Sequence, residues 1–191
     1  MPERPKVYLA GPEVFLPDAI ALGRIKKEAC ARHGLEGLFP FDNEAVSSEG
    51  GPALDDLIYA GNVRMMREAD CAVLNLSPFR GPEADTGTAF ELGFLTALGT
   101  PCYGYTNHPL DYLDRVLATG PALYDVQSRR WCDGEGLAIE DFGNADNLML
   151  DAALRAGGHP VLRSDAALPL GALDRFEACL ALIARRFARA A

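Results

Sequence analysis

The run Asp85-Thr86-Gly87-Thr88-Ala89-Phe90-Glu91-Leu92-Gly93 sets a carboxylate inside a stretch that otherwise has the composition of a core helix. Asp85 suits an N-cap and Gly99 a stop, which predicts a helix from Asp85 to Leu98. Glu91 then falls in line with Leu95 and Leu98 at i, i+4 and i+7, one helical stripe. Ala89, Phe90, Leu92, Phe94 and Ala97 are apolar as well, so little of this helix is left to face water. The plain structural reading is a Glu at the helix rim whose stem packs while its head is solvated. The other reading is a carboxylate kept in place for chemistry, because burying one without partners is costly.

Working outward, Lys6–Ala10 is a short apolar run ended by Gly11-Pro12, which predicts a central strand with Tyr8 near its carboxyl end. Apolar residues recur at helical spacing from Leu16 to His33, and Gly34 ends the pattern. Gly37–Pro40 is a brief second strand followed by the loop Phe41-Asp42-Asn43-Glu44 and a polar, Gly-rich run from Ser47 to Gly51. Leu54 to Ala69 is an amphipathic helix with Asn62 in its middle, and Cys71–Leu76 is an apolar run of the kind buried parallel strands show. On its own, Asn62 is accounted for as a surface or backbone-bonded amide. Pro101–Tyr105 is the next strand. Strands and helices alternating in this order predict an α/β doubly wound parallel sheet, whose ligand sites lie beyond the strands' carboxyl ends. After Tyr105 the pattern loosens for roughly forty residues, longer than an ordinary connection, which points to a functional or interface element. A helix over Asp146–Arg155, capped by Asp146 or Asn144, and a last helix from about Leu170 to Ala190 close the chain, the last one covering one face of the sheet.

The totals narrow the function. A chain of 191 residues with 49% hydrophobic and 24% charged residues is expected to form one soluble domain, residues 1–191. No apolar run approaches a membrane span, and the N-terminus lacks the apolar core of a signal peptide, so a cytoplasmic location is expected. Five scattered cysteines with no C-x-x-C pair indicate neither a disulfide framework nor a zinc site. A net charge of −9 argues against nucleic acid as a partner. Small molecules remain.

The predicted sheet gathers Tyr8, the Asp42–Glu44 loop, Asp85 and Glu91 at one crevice, rich in acceptors and without clustered cations, which suits a polyhydroxyl ligand. Three roles for Glu91 stay open on the residues alone. A metal ligand is the weakest, because no His or Cys accompanies it. A general base for water is the second. The third is attack on a sugar's anomeric carbon, with the Tyr8 phenol orienting the carboxylate. Phosphate cradling is weak: neither G-x-G-x-x-G nor G-x-x-x-x-G-K-[ST] is present and Pro12 removes a donor. Ser77, Arg80, Gly81 and Thr86 could hold one phosphate at the helix start, but Glu83 and Asp85 crowd it.

Tyr8-Leu-Ala-Gly11-Pro, Phe15, Pro40-Phe-Asp42, Asn62 ahead of Asp70, Asp85-x-Gly-Thr-Ala-Phe-Glu91-x-Gly93 and Asn147-Leu-Met149 together resemble the nucleoside 2-deoxyribosyltransferase family over residues 6–155. The resemblance implies a flavodoxin-like fold, a homo-oligomer, and transfer of 2-deoxyribose between nucleobases through a covalent deoxyribosyl-enzyme. It implies that Glu91 is the nucleophile, that Tyr8 orients it, and that Asp85 binds the sugar's 5′-hydroxyl. Asn147 would reach the same hydroxyl across a subunit interface, with Met149 beside it. The resemblance implies Gly11, Phe15, Asp42, Glu44 and Asn62 as further substrate contacts. Asn62 stands where some members carry Asp, and Glu44 where some carry Gln, so the purine or pyrimidine preference is left open. The partners implied are 2′-deoxynucleosides and free nucleobases, with no metal or organic cofactor. Two alternatives stay beside this one: an N-glycosidase acting on 2′-deoxynucleoside 5′-monophosphates, and a nucleotide-binding module without turnover.

Overall fold

The computed structural model describes residues 3–42 and 51–190. Its centre is a five-stranded parallel sheet made of β1 (Lys6–Ala10), β2 (Glu36–Leu38), β3 (Cys71–Asn75), β4 (Cys102–Thr106) and β8 (Leu162–Arg163), in the order β2-β1-β3-β4-β8. Val7 pairs with both Gly37 and Cys71, Ala72 with Cys102, and Tyr105 with Leu162. This is the expected flavodoxin-like doubly wound architecture.

The period of two along a strand decides which helices each side chain meets. Val7 and Leu9 join one apolar cluster, with residues of α1 (Ala19–Arg32) and α6 (Asp174–Ala190), among them Ala29, Cys30, Phe176 and Ile183. Tyr8 and Ala10 point the other way. They join Met65 and Met66 of α2 (Leu54–Glu68), Leu92 and Leu95 of α3 (Thr86–Ala97) and Leu154 of α5 (Leu148–Ala156). The alternation that buries Tyr8 therefore also aims it at the helix carrying Glu91. Gly104 allows α5 to seat on β4, since a Cβ there would lie 2.3 Å from Leu154 Cδ1.

Several elements depart from the sequence-based expectation. The first helix begins at Ala19 instead of Leu16, because a 3-10 turn over Pro12–Phe15 precedes it. The last helix starts at Asp174 instead of about Leu170. The loosened segment is folded: α4 (Tyr112–Leu117) leads into an antiparallel sheet of β5 (Ala122–Asp125), β6 (Arg130–Asp133) and β7 (Ala138–Ile139). The fifth helix is capped by Asn147, whose side chain accepts from the Met149 amide, and not by Asp146 or Asn144. Among the described residues no helix is long and apolar enough to cross a membrane.

Candidate active site

Beyond the carboxyl ends of β1 and β2, and beside α2 and α3, lies a cavity of about 490 Å³, within the size range of small-molecule sites. Gly11, Val14 and Phe15 come from the 3-10 turn after β1, and Pro40 and Phe41 from the turn after β2. Leu54, Ile58 and Asn62 form the α2 wall; Asp85, Gly87, Thr88 and Glu91 form the α3 wall. Most of this lining is apolar, and among the described residues its charged members are Asp85 and Glu91.

Glu91 is half-buried, and Tyr8, fully buried in the sheet below, donates its phenolic O–H to Glu91 Oε1 at 2.5 Å. One carboxylate oxygen is thus held and the other is left for a ligand. Burial raises the Glu91 carboxyl to about 7; the Tyr8 hydrogen bond works against that rise, while Asp85 and Glu13 add to it. Burial first, and then the Glu91 charge and hydrogen bond, push the Tyr8 phenol far above its ordinary range, so it stays a proton donor.

The linkage to stability has an unusual sign for a carboxylate. The folded chain holds the Glu91 proton more tightly than an unfolded chain, where the group titrates near 4.5. This group's contribution is therefore complete below about 4.5 and is lost as pH rises through about 7. Glu91→Gln is expected to be more stable than wild type at pH 8, by about 1–2 kcal/mol after discounting for partial exposure, with the gap closing toward pH 5. Thermal melts of both proteins across that range check it; a gap that stays constant with pH contradicts it.

Asp85 caps α3 as its spacing predicts: Oδ2 accepts from the Thr88 amide at 2.9 Å and the Thr88 hydroxyl at 3.1 Å. Its Oδ1 has no protein partner among the described residues. Asn62 faces the cavity with a buried Oδ1 that lacks a hydrogen-bond partner there. Phe15 is half-exposed and stacks on Phe79, ring centroids 5.0 Å apart. The Arg80 guanidinium lies over both rings, on a backbone with φ 57. Arg80 is thus engaged with the aromatic wall, and the Ser77 hydroxyl donates to Asn75 and accepts from the Asn107 amide, so neither side chain is free for a phosphate.

Not every expected residue gathers here. Asp42 bonds Lys27 and the Phe39 amide, and borders a neighbouring hollow that shares Phe41 with the main cavity. Glu44 lies outside the described residues. Asn147 and Met149 sit at the start of α5 and do not line the cavity of their own chain; Asn147 donates to Glu140, and the Met149 side chain is 68% exposed.

Three buried groups next to the site have no expectation behind them. Glu13, Lys26 and Tyr105 form a network under Gly11. Glu13 lies 13 residues from Lys26 and 92 from Tyr105, and the one local signal is Lys26, a Lys on the buried stripe of α1. Among the described residues no cluster of three or more His, Cys, Asp or Glu side chains is arranged to hold a metal.

The chain matches the profile of the family described as nucleoside 2-deoxyribosyltransferase over residues 7–149. It is 32% identical over 166 residues to an uncharacterized protein of Schizosaccharomyces pombe, covering 81% of this chain and 79% of the relative. A 2-desoxiribosyltransferase from Leishmania mexicana superposes with a TM-score of 0.68 at 29% identity, covering 95% of this chain and 97% of that one. A conserved protein from Enterococcus faecalis V583 has the same fold, with a TM-score of 0.59 at 20% identity over 96% of this chain and 99% of that one. A phenol aimed at a half-buried carboxylate, on a sheet of this order and in a chain matched over most of its length, leaves one assignment: this protein belongs to the nucleoside 2-deoxyribosyltransferase family.

Proposed function

We propose that the protein transfers 2-deoxyribose from one nucleobase to another through a deoxyribosyl ester on Glu91. The observation that carries this reading is the 2.5 Å hydrogen bond from Tyr8 to Glu91 Oε1 beside a nucleoside-sized cavity. In the first half-reaction a Glu91 oxygen bonds the anomeric carbon as the bond to the base nitrogen breaks. The bond's electron pair leaves on the base, which takes up a proton. In the second half-reaction a nitrogen of the incoming base bonds the same carbon, loses its proton, and returns the electron pair of the ester C–O bond to Glu91. The transition states carry positive charge on the sugar ring, which a neighbouring carboxylate stabilises before it captures the carbon.

Asp85 Oδ1 is the acceptor for the 5′-hydroxyl. Because the charged residues of the lining among those described are Asp85 and Glu91, both acidic, a 5′-phosphate dianion would be repelled beside them, which favours nucleosides over monophosphates. Phe15, braced from behind by Phe79 and Arg80, offers a flat apolar face for the base, with Asn62 opposite on α2. Asn147 and Met149 serve the cavity of a second copy in a homo-oligomer, consistent with their place outside their own chain's cavity.

The direct test is base exchange: 2′-deoxyinosine or thymidine with free adenine, following the new nucleoside and free deoxyribose. Formation of 2′-deoxyadenosine supports transfer. Free deoxyribose alone assigns hydrolysis, and turnover confined to 5′-monophosphates overturns the substrate assignment. The pH dependence has a defined sign. Glu91 attacks only when ionised, so kcat rises with pH through about 7. Tyr8→Phe removes the contact that holds the Glu91 pKa down. It is expected to move the acid limb above 7 and lower kcat about 10–100-fold. An acid limb unmoved in Tyr8→Phe contradicts the orienting role.

A further inference from the structure

Glu13, in the 3-10 turn between β1 and α1, is 1% exposed, and so is its partner Lys26. Lys26 Nζ lies 2.5 Å from Glu13 Oε1, and the fully buried Tyr105 donates its O–H to that same oxygen at 2.9 Å. The ammonium also sits 4.7 Å from the centre of the Phe176 ring, on the α6 side of the sheet. Every donor therefore converges on Oε1. Oε2 is buried with no hydrogen-bond partner among the described residues. It occupies the space that a side chain at Gly11 would fill, 1.9 Å from the position of that missing Cβ, and Gly11 lines the cavity. The ion pair is a buried dipole whose positive end lies toward α6 and whose negative end lies against the cavity floor.

We propose that Glu13 is an electrostatic positioning residue of this site: its unpaired Oε2, set against Gly11, keeps a negative field at the cavity floor where the sugar carbon becomes positive. This rests on the reading of Glu91 as nucleophile. A negative field there acts twice on the barrier. It disfavours the ionised Glu91 of the ground state, whose charge disappears as the ester bond forms, and it favours the cationic sugar between base and carboxylate. Among the described residues the charged and titratable groups facing Glu91 are Tyr8 from β1, Asp85 from its own helix and Glu13 from the turn; α2 contributes the neutral Asn62. A pair serving only as scaffold needs no such asymmetry and would leave the Glu91 titration alone.

Two variants separate the roles. Glu13→Gln removes the negative charge and keeps the shape. Glu13→Gln/Lys26→Met removes both charges at similar volume, the kind of replacement buried ion pairs tolerate, and so covers the case in which the single variant does not fold. The Glu91 titration is followed directly, by carbon NMR of labelled glutamate carboxyls assigned against Glu91→Gln, and through the acid limb of kcat. Both variants are expected to move the titration down by about half a pH unit or more, the scale on which one buried carboxylate acts on another. The plateau kcat is expected to fall about tenfold with KM within about twofold. A titration unmoved in the double variant overturns the proposal, because the pair is then neutral as Glu91 senses it, whatever the single variant does. The NMR readout needs no turnover, so a protein inactive on deoxynucleosides would defeat the proposed activity while the field of Glu13 is still judged.

Discussion

Glu91→Ala is expected to lose base exchange by about 10⁴-fold or more in kcat, because among the described residues no other group in the cavity is placed to form the ester. Asp85 is the nearest substitute by charge, but its Oδ2 is committed to the Thr88 amide and hydroxyl at the start of α3, fixing its carboxylate at the helix cap. The variant should stay folded, since a small side chain at a half-buried helix position opens no closed core cavity and leaves Tyr8 without a buried charge beside it. Deoxynucleoside binding is expected to survive within a few-fold, because Phe15, Asn62 and Asp85 are untouched. The relevant comparison is exchange rate against binding measured by calorimetry. Loss of both together would mean that the residue shapes the pocket instead of reacting in it.

The second large effect lies away from the chemistry. Arg115 and Asp146 are a buried pair, 5% and 1% exposed, with Arg115 Nη2 donating to Asp146 Oδ2 at 3.0 Å. The guanidinium also donates to the Pro82 carbonyl at 2.7 Å and the Leu110 carbonyl at 2.9 Å. Asp146 in turn accepts from the Ala84 amide at 2.9 Å through Oδ2 and from the Asn147 amide at 2.8 Å through Oδ1. One pair thus joins the loop that delivers Asp85 to the turn that delivers Asn147. Burial pushes the Asp146 carboxyl up, and the Asn147 amide and the Arg115 charge hold it down. Arg115→Met strips away that compensation and leaves two carbonyls without donors. It is expected to cost about 3–5 kcal/mol of stability. That corresponds to a fall in Tm of about 10 °C or more for a chain of this size. Arg115→Met/Asp146→Leu removes the uncompensated buried charge but leaves the Pro82 and Leu110 carbonyls without donors and the Ala84 and Asn147 amides without an acceptor, so it is expected to recover only part of the stability and not the full activity. A single variant as stable as wild type, by thermal and urea unfolding, contradicts the role given to this pair.

The parts of the fold legible in the sequence are those whose pattern is local and buried. The Asp85 cap, the Gly99 stop and the apolar runs of β1, β3 and β4 each carry their own signal, and their alternation yields the sheet. Tyr8 and Glu91 were readable as a pair because the strand period and the helix stripe each fix a direction, and the two directions meet. The β5–β7 sheet was not readable: in β5 Leu123, Tyr124 and Asp125 are all exposed, Leu123 to 78%, so no alternation between core and solvent marks the strand. Strand β8 is two residues long and joins the sheet only because β4 offers an edge. Asn147 caps α5 in place of Asp146 because the Asp146 side chain is drawn inward to Arg115, a partner 31 residues away that no local rule reveals. The Glu13–Lys26 pair escapes for a similar reason. Charged residues are weighed by default as solvated, and only the closed structure displays a carboxylate and an ammonium buried together. Asp42 belongs to the crevice by its strand-end position, yet Lys27 engages its side chain, an interaction between exposed groups that spacing does not specify.

The most direct measurement is intact-protein mass spectrometry of the wild-type chain, quenched in acid after mixing with a 2′-deoxynucleoside and no acceptor base, followed by peptide mapping. A fraction of the protein is expected to be heavier by one deoxyribosyl group, deoxyribose less one water, localised to Glu91, discharged by added adenine and absent in Glu91→Ala. Base exchange proceeding at full rate with the adduct on another residue, or with direct displacement shown by inverted product stereochemistry at the sugar carbon, would contradict it.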